Sequence, residues 1–235
     1  MSEAAAQALA APRGRGAFIT LEGGEGAGKS TQVKHILERL RQAGIDAVGT
    51  REPGGSPGAE VLRKALLSGV IEPLGPAAEA ILFAAARVDH IDKTIEPALS
   101  AGIWVVSDRF ADSTRAYQGA LGRLDPRFLR ALERVTLNEL YPDLTLVLDL
   151  PVEEGLARAA RRRTPAETLD RFENETLEFH QGLRAAFLEI AAAESARCVL
   201  IDAARSEADV AQSIWDAITY RLMDRPAAAE RAHGA

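Results

Sequence analysis

The chain reads as a three-layer α/β domain, a parallel five-stranded sheet with helices on both faces. Three observations predict it. Short apolar runs alternate with helical patterns along the chain. Several of those runs are nearly continuous in Val, Ile and Leu, as in strands buried on both faces. The first run leads into a glycine-rich turn that opens an amphipathic segment. Strand–helix alternation implies right-handed crossovers between parallel strands.

The predicted strands are 17–22, 46–51, 103–108, 144–149 and 198–202. After the glycine turn, Val33, Ile36, Leu37 and Leu40 recur at i, i+3, i+4 and i+7, and Gly44 follows as a stop. Helical patterns also fit 58–68, 77–96, 126–140, 153–163, 173–194 and 207–222. No repeat or second-domain boundary interrupts 16–222. Residues 1–15 and 223–235 lack periodicity and are expected to be mobile tails.

A chain of 235 residues can bury a large core in one domain. A net charge of −6 argues against a surface that coats nucleic acid. No apolar run approaches membrane-spanning length, and the N-terminal stretch, with Glu3 and no early Lys or Arg, does not pattern as a signal peptide. Cys198 is the single cysteine, so no internal disulfide forms and a reducing, cytoplasmic setting is expected. The histidines at 35, 90, 180 and 233 have no metal-ligand spacing.

In a parallel sheet, ligands gather at the carboxyl ends of the strands. Chemistry is therefore expected at 22–29, 51–55, 107–118 and just after Asp149. The first of these holds Gly23-Gly24-Glu25-Gly26-Ala27-Gly28-Lys29-Ser30, which fits G-x-x-x-x-G-K-[ST] and continues into Thr31. Such a loop wraps a phosphate chain with backbone N–H groups at a helix N-terminus. Lys29 supplies a point charge for the β/γ-phosphates and Ser30 a hydroxyl for Mg²⁺. At the end of the third strand, Arg109 can fork onto a phosphate or form a structural pair with Asp108. Asp108 itself suits either a Mg²⁺-bound water or a cap. Phe83 and Arg87 share a helix face at i, i+4; by themselves they read as core and solvated charge. The run Arg158, Arg161, Arg162, Arg163 reads as a solvated face or a basic patch. Guanine-reading N-K-x-D is absent from the sequence.

From Asp108 the chain reads Asp-Arg-Phe-Ala-Asp-Ser-Thr-Arg-Ala-Tyr-Gln. With the glycine loop, Thr50-Arg51-Glu52-Pro53-Gly54-Gly55, and Leu82-Phe83-Ala84-Ala85-Ala86-Arg87, this resembles the thymidylate kinases over about residues 16–222. The resemblance implies a P-loop kinase fold and ATP- and Mg²⁺-dependent phosphorylation of dTMP to dTDP by a homodimer, with no nucleic-acid or membrane partner. The alternatives are a kinase of another deoxynucleotide or nucleoside and, in a different class, a P-loop switch or sensor. The resemblance assigns Arg109 and Arg51 to the acceptor phosphate, Phe83 to a stack on thymine and Arg87 to a base carbonyl. It brings Glu52, Ser113, Thr114 and Gln118 to the acceptor and Tyr117 under the sugar, against a 2′-hydroxyl. Glu25 marks the branch with an acidic loop residue, where it faces the 3′-hydroxyl or a Mg²⁺ water. In that branch the catalytic arginine comes from a lid, here near 155–173, with Arg162 first, then Arg158 and Arg161.

Overall fold

The computed structural model describes residues 14–162 and 171–224. The expected tails and the centre of the expected lid, residues 163–170, lie largely or wholly outside the described residues. Five parallel strands, β1 (Phe18–Glu22), β2 (Ala47–Arg51), β3 (Trp104–Asp108), β4 (Leu144–Asp149) and β5 (Cys198–Asp202), form one sheet in the order β2-β3-β1-β4-β5. Every strand prediction holds to within one residue. β1 is central: Ile19 is in register with Val106 on one side and with Leu144 on the other. Its five residues are all buried, whereas the edge strand β2 is partly exposed along its length.

Alternate residues of β1 face opposite layers. Ile19 and Leu21 pack under α1 (Lys29–Gln42), through Val33, Ile36 and Leu40, and under α9 (Glu207–Ile218), through Val210 and Ile214. Phe18 faces the other layer, where Ile91, Ile95, Leu99, Phe110 and Leu137 gather. That layer contains α3 (Gly75–His90), which runs through a π turn into α4 (Glu96–Ser100), and also α6 (Pro126–Leu137) and α8 (Leu177–Ala193). α2 (Pro57–Leu67) packs on α3. There Asp89 accepts hydrogen bonds from the Gly58 and Ala59 N–H groups (2.9 and 3.1 Å) and from Ser56 Oγ (2.6 Å). The start of α2 is thus capped by a side chain of α3.

The helix boundaries differ from the periodicity at a few points. The pattern at 126–140 ends at Leu137, because Asn138 takes a left-handed turn (φ 44°). The pattern at 173–194 starts at Leu177, where Thr176 accepts from the Phe179 N–H, after a short 3₁₀ turn at Phe172–Asn174. One helical stretch, α5 (Ala111–Thr114) with a π turn through Leu121, follows β3 and has no counterpart among the predicted helices. Its polar run carries little apolar period, and its place is set by contacts from β1. α7 (Val152–Arg162) follows β4 as expected.

Candidate active site

β1 delivers the glycine loop directly to α1. Gly28 is left-handed (φ 90°) at the N-cap, and Gly26 is also left-handed (φ 67°). A side chain at Gly26 would strike the backbone of Gly155 in α7, so glycine permits both the turn and the close approach. Lys29 is buried, and its Nζ donates to the carbonyls of Gly23 (3.1 Å) and Gly24 (2.8 Å). Burial, and then the nearby Arg109, pull its pKa below the ordinary lysine value; Glu25, Asp108 and Glu22 oppose this. Ser30 Oγ donates to Asp108 Oδ2 at 2.5 Å, which joins the loop to the end of β3.

Arg109 adopts φ 72°, unusual for a residue with a side chain. Its guanidinium does not pair with Asp108, as a structural reading would have it. It donates to Gly23 O (3.1 Å), Ser113 Oγ (3.2 Å) and Glu25 Oε1 (2.9 Å), and it lies 5.3 Å from the centre of the Tyr117 ring. Beside it sits Glu22, a fully buried carboxyl that the sequence reading included in the 22–29 stretch but gave no role. Glu22 accepts the Phe110 N–H (2.8 Å) and the Ser113 hydroxyl (2.7 Å). It thereby ties the central strand to the start of α5 and supports the backbone on which Arg109 turns. Burial, then the charge of Asp112, push its pKa up to about 7, against pulls from Arg109, Ser113 and the Phe110 N–H.

Loop, β2, α2, α3 and α5 enclose one cavity of about 220 Å³. It is lined by Glu25, Lys29, Ser30, Asp108 and Arg109 from the loop and the end of β3, and by Phe83, Arg87, Tyr117 and Gln118 from the helices. Arg51, Glu52, Ser113 and Thr114 also line it. The predicted acceptor residues thus meet in one place. Arg51 is exposed at its rim, paired with Glu60 at 2.9 Å. Arg87 is buried: Nε donates to Glu52 Oε2 (2.8 Å), and Nη2 to Thr114 Oγ1 (3.0 Å) and Phe110 O (3.3 Å). Gln118 lies beside Glu79, which also pairs with Arg171. Among the loop residues, Gly26 and Gly28 line the cavity; Gly23, Gly24, Ala27 and Thr31 do not.

The sequence reading missed Phe172, Arg63 and Leu67, which also line the cavity. Phe172 packs on Tyr117 (5.2 Å between ring centres) and Phe83 (6.3 Å), so a residue at the end of the expected lid segment closes the aromatic wall. No spacing signals a contact made across such sequence distances. Arg158 and Arg161 of α7 do not line this cavity. Arg158 donates to Glu154 Oε1 (2.6 Å) and Ala203 O (2.9 Å), and Arg161 to Ala157 O (3.2 Å); the side chain of Arg162 lies outside the described residues.

A parallel sheet whose central strand runs into this lysine–serine loop, facing a cavity with arginines and aromatic rings, defines a P-loop phosphotransferase. The chain matches the thymidylate kinase family over residues 21–214. It is 58% identical to the thymidylate kinase of Bradyrhizobium diazoefficiens over 97% of this chain and 98% of that one. It is 54% identical to that of Afipia carboxidovorans over 97% of this chain and 100% of that one. This chain therefore belongs to the thymidylate kinase family.

Proposed function

We propose that this chain transfers the γ-phosphoryl group of ATP to dTMP, giving dTDP by in-line displacement. The observation that carries the reading is one cavity lined together by Lys29, Ser30, Arg109, Phe83, Arg87 and Tyr117. Phosphoryl transfer asks a protein mainly to position and neutralise two anions. Lys29 and the loop hold the donor phosphates, and Arg109 and Arg51 the acceptor phosphate. Phe83 stacks on the base and Arg87 donates to it. Tyr117 lies under the sugar, and Ser113, Thr114 and Gln118 complete the polar edge. Glu25, held by Arg109, is within the same end of the cavity and is assigned to the 3′-hydroxyl. Arg162, with Arg158 and Arg161, supplies positive charge from α7.

Ser30 and Asp108 offer a hydroxyl and a carboxylate, hard oxygen donors that fit Mg²⁺ bound through water and substrate phosphates. Among the described residues no group of three His, Cys, Asp or Glu could hold a metal by itself. When bound, the ion neutralises phosphate charge. A homodimer fits the exposed Ile81 and Val88 on α3 and Val135 on the adjoining α6. No single helix among the described residues is long and apolar enough to cross a membrane, and the lone, buried Cys198 suits a reducing cytoplasm.

The test is ADP release with each common nucleoside monophosphate as acceptor. dTMP should give the highest kcat/KM. Preference for a different base, or ADP release independent of acceptor, would overturn the assignment.

A further inference from the structure

The stretch Thr50 to Gly55 reaches the cavity through Arg51, Glu52 and Pro53, but Thr50 and Gly55 turn away from it, to a histidine of α3. His90 is fully buried. Its Nδ1 lies 3.1 Å from Glu52 Oε1, and its Nε2 lies 2.7 Å from Thr50 Oγ1. Glu52 has only its two carboxylate oxygens to offer. One faces His90 and the other takes Arg87 Nε at 2.8 Å. Gly55 closes over the group with φ 85°, and a side chain there would collide with both His90 Nε2 and Thr50 Oγ1. Thr94, from the π turn after α3, donates to the Gly55 carbonyl at 2.8 Å and holds that loop down.

A neutral imidazole satisfies every member of this row in one way. The Thr50 hydroxyl donates to Nε2, Nδ1–H donates to Glu52 Oε1, and Glu52 Oε2 receives Arg87. Arg87 then has Nε and Nη2 engaged, by Glu52, Thr114 and Phe110 O. Its planar fork leaves Nη1 over, and Arg87 lines the cavity. A carboxylate held at one oxygen only could rotate, and the guanidinium would then be fixed from its Nη2 side alone, by Thr114 and Phe110 O.

We propose that His90 is a positioning residue: with Thr50 it locks the Glu52 carboxylate and thereby aims Arg87 at the base of the acceptor nucleotide. The proposal rests on the dTMP kinase reading for what Arg87 touches. The Thr-Arg-Glu-Pro-Gly-Gly stretch is then in part a clamp on α3, with Gly55 supplying the room for the imidazole.

The test compares two histidine replacements with an Arg87 control. In His90→Gln the amide nitrogen falls near Nε2 and the donor to Glu52 is lost. In His90→Asn the amide nitrogen falls near Nδ1 and that donor is kept. His90→Gln should raise KM for dTMP about tenfold, with kcat and KM for ATP within about threefold of the parent. His90→Asn should recover most of that loss. Thr50→Val, which removes the hydroxyl at nearly constant volume, should raise KM for dTMP in the same direction and carries the test if His90→Gln does not fold. Circular dichroism establishes folding for each. A purely structural role would lower thermal stability and move both substrates' constants alike, or leave Gln and Asn indistinguishable; either result overturns the proposal. Should Arg87→Ala raise KM for dTMP while neither His90→Gln nor Thr50→Val does, the relay fails and the functional reading stands. Should Arg87→Ala leave dTMP use unchanged, the base-reading role of Arg87 fails, and the role of His90 fails with it.

Discussion

The cavity lining and helix α7 both carry arginines, but they hold them differently. Arg87 is 4% exposed and Arg109 15%, and their partners come from other elements: Glu52, Thr114 and Phe110 for one, Gly23, Glu25 and Ser113 for the other. Arg158 is about one-third exposed and is held by Glu154 one turn back and by a carbonyl past β5. Such an i, i+4 pair contributes only about 0.3–0.5 kcal/mol. The wall is therefore organised before any nucleotide arrives, at the cost of burying charge. Arg158 and Arg161 can exchange weak local partners for a phosphate at little cost. The comparison suggests a division of labour, with recognition on the wall and charge stabilisation on α7.

The largest expected effect lies at the loop that both regions face. Lys29→Ala should cut kcat by about 10³-fold while circular dichroism remains unchanged. Near-normal turnover in the folded variant would remove the loop from the mechanism and leave the comparison without a common centre.

Next comes α7. At least one of Arg162→Ala, Arg158→Ala and Arg161→Ala should lower kcat by more than about 100-fold with little change in dTMP affinity, Arg162 foremost. If all three single variants and the triple variant stay within about tenfold of the parent in steady-state kinetics, the division of labour is wrong.

On the wall, Arg87→Ala and Phe83→Ala should raise KM for dTMP about 10- to 100-fold and leave KM for ATP nearly unchanged, the cost of a lost buried hydrogen bond or stack. Equal shifts for both nucleotides would show that the wall is only structural.

The last test reads the buried carboxyl beside Arg109, and reads it in stability with no change in turnover required. Glu22 holds its proton to about pH 7 in the folded protein, against an ordinary carboxyl value of 4.5. Between those values the folded chain binds more protons than the unfolded one, so this group's contribution to stability falls as pH rises from 4.5 through 7. Relative to Glu22→Gln, the parent should lose up to about 3 kcal/mol across that window in urea unfolding. A flat difference between pH 5 and 8 would show that Glu22 does not titrate there.

Much of this was legible in the sequence, for identifiable reasons. The strands were readable because four β-branched or leucine-rich runs carry them and a fifth ends at the glycine loop. The loop was readable because its chemistry lies in consecutive residues. Arg87 and Phe83 could be paired because one helix turn separates them. The helix after β3 was not predicted, because Ala111 to Leu121 carries polar groups whose partners, Glu22 among them, come from a strand some ninety residues earlier.

The sequence by itself determined the strand–helix alternation, the glycine loop and the residue types that line the cavity, since each depends on neighbours within a few positions. Only the tertiary structure decided which of those residues are already paired and which groups stand behind them. Glu22 lies next to Arg109, Phe172 closes the wall beside Tyr117, and His90 stands between Thr50 and Glu52. A hydrogen bond formed across forty or ninety residues depends on where the sheet order and the helix packing bring two side chains, and no local pattern encodes that.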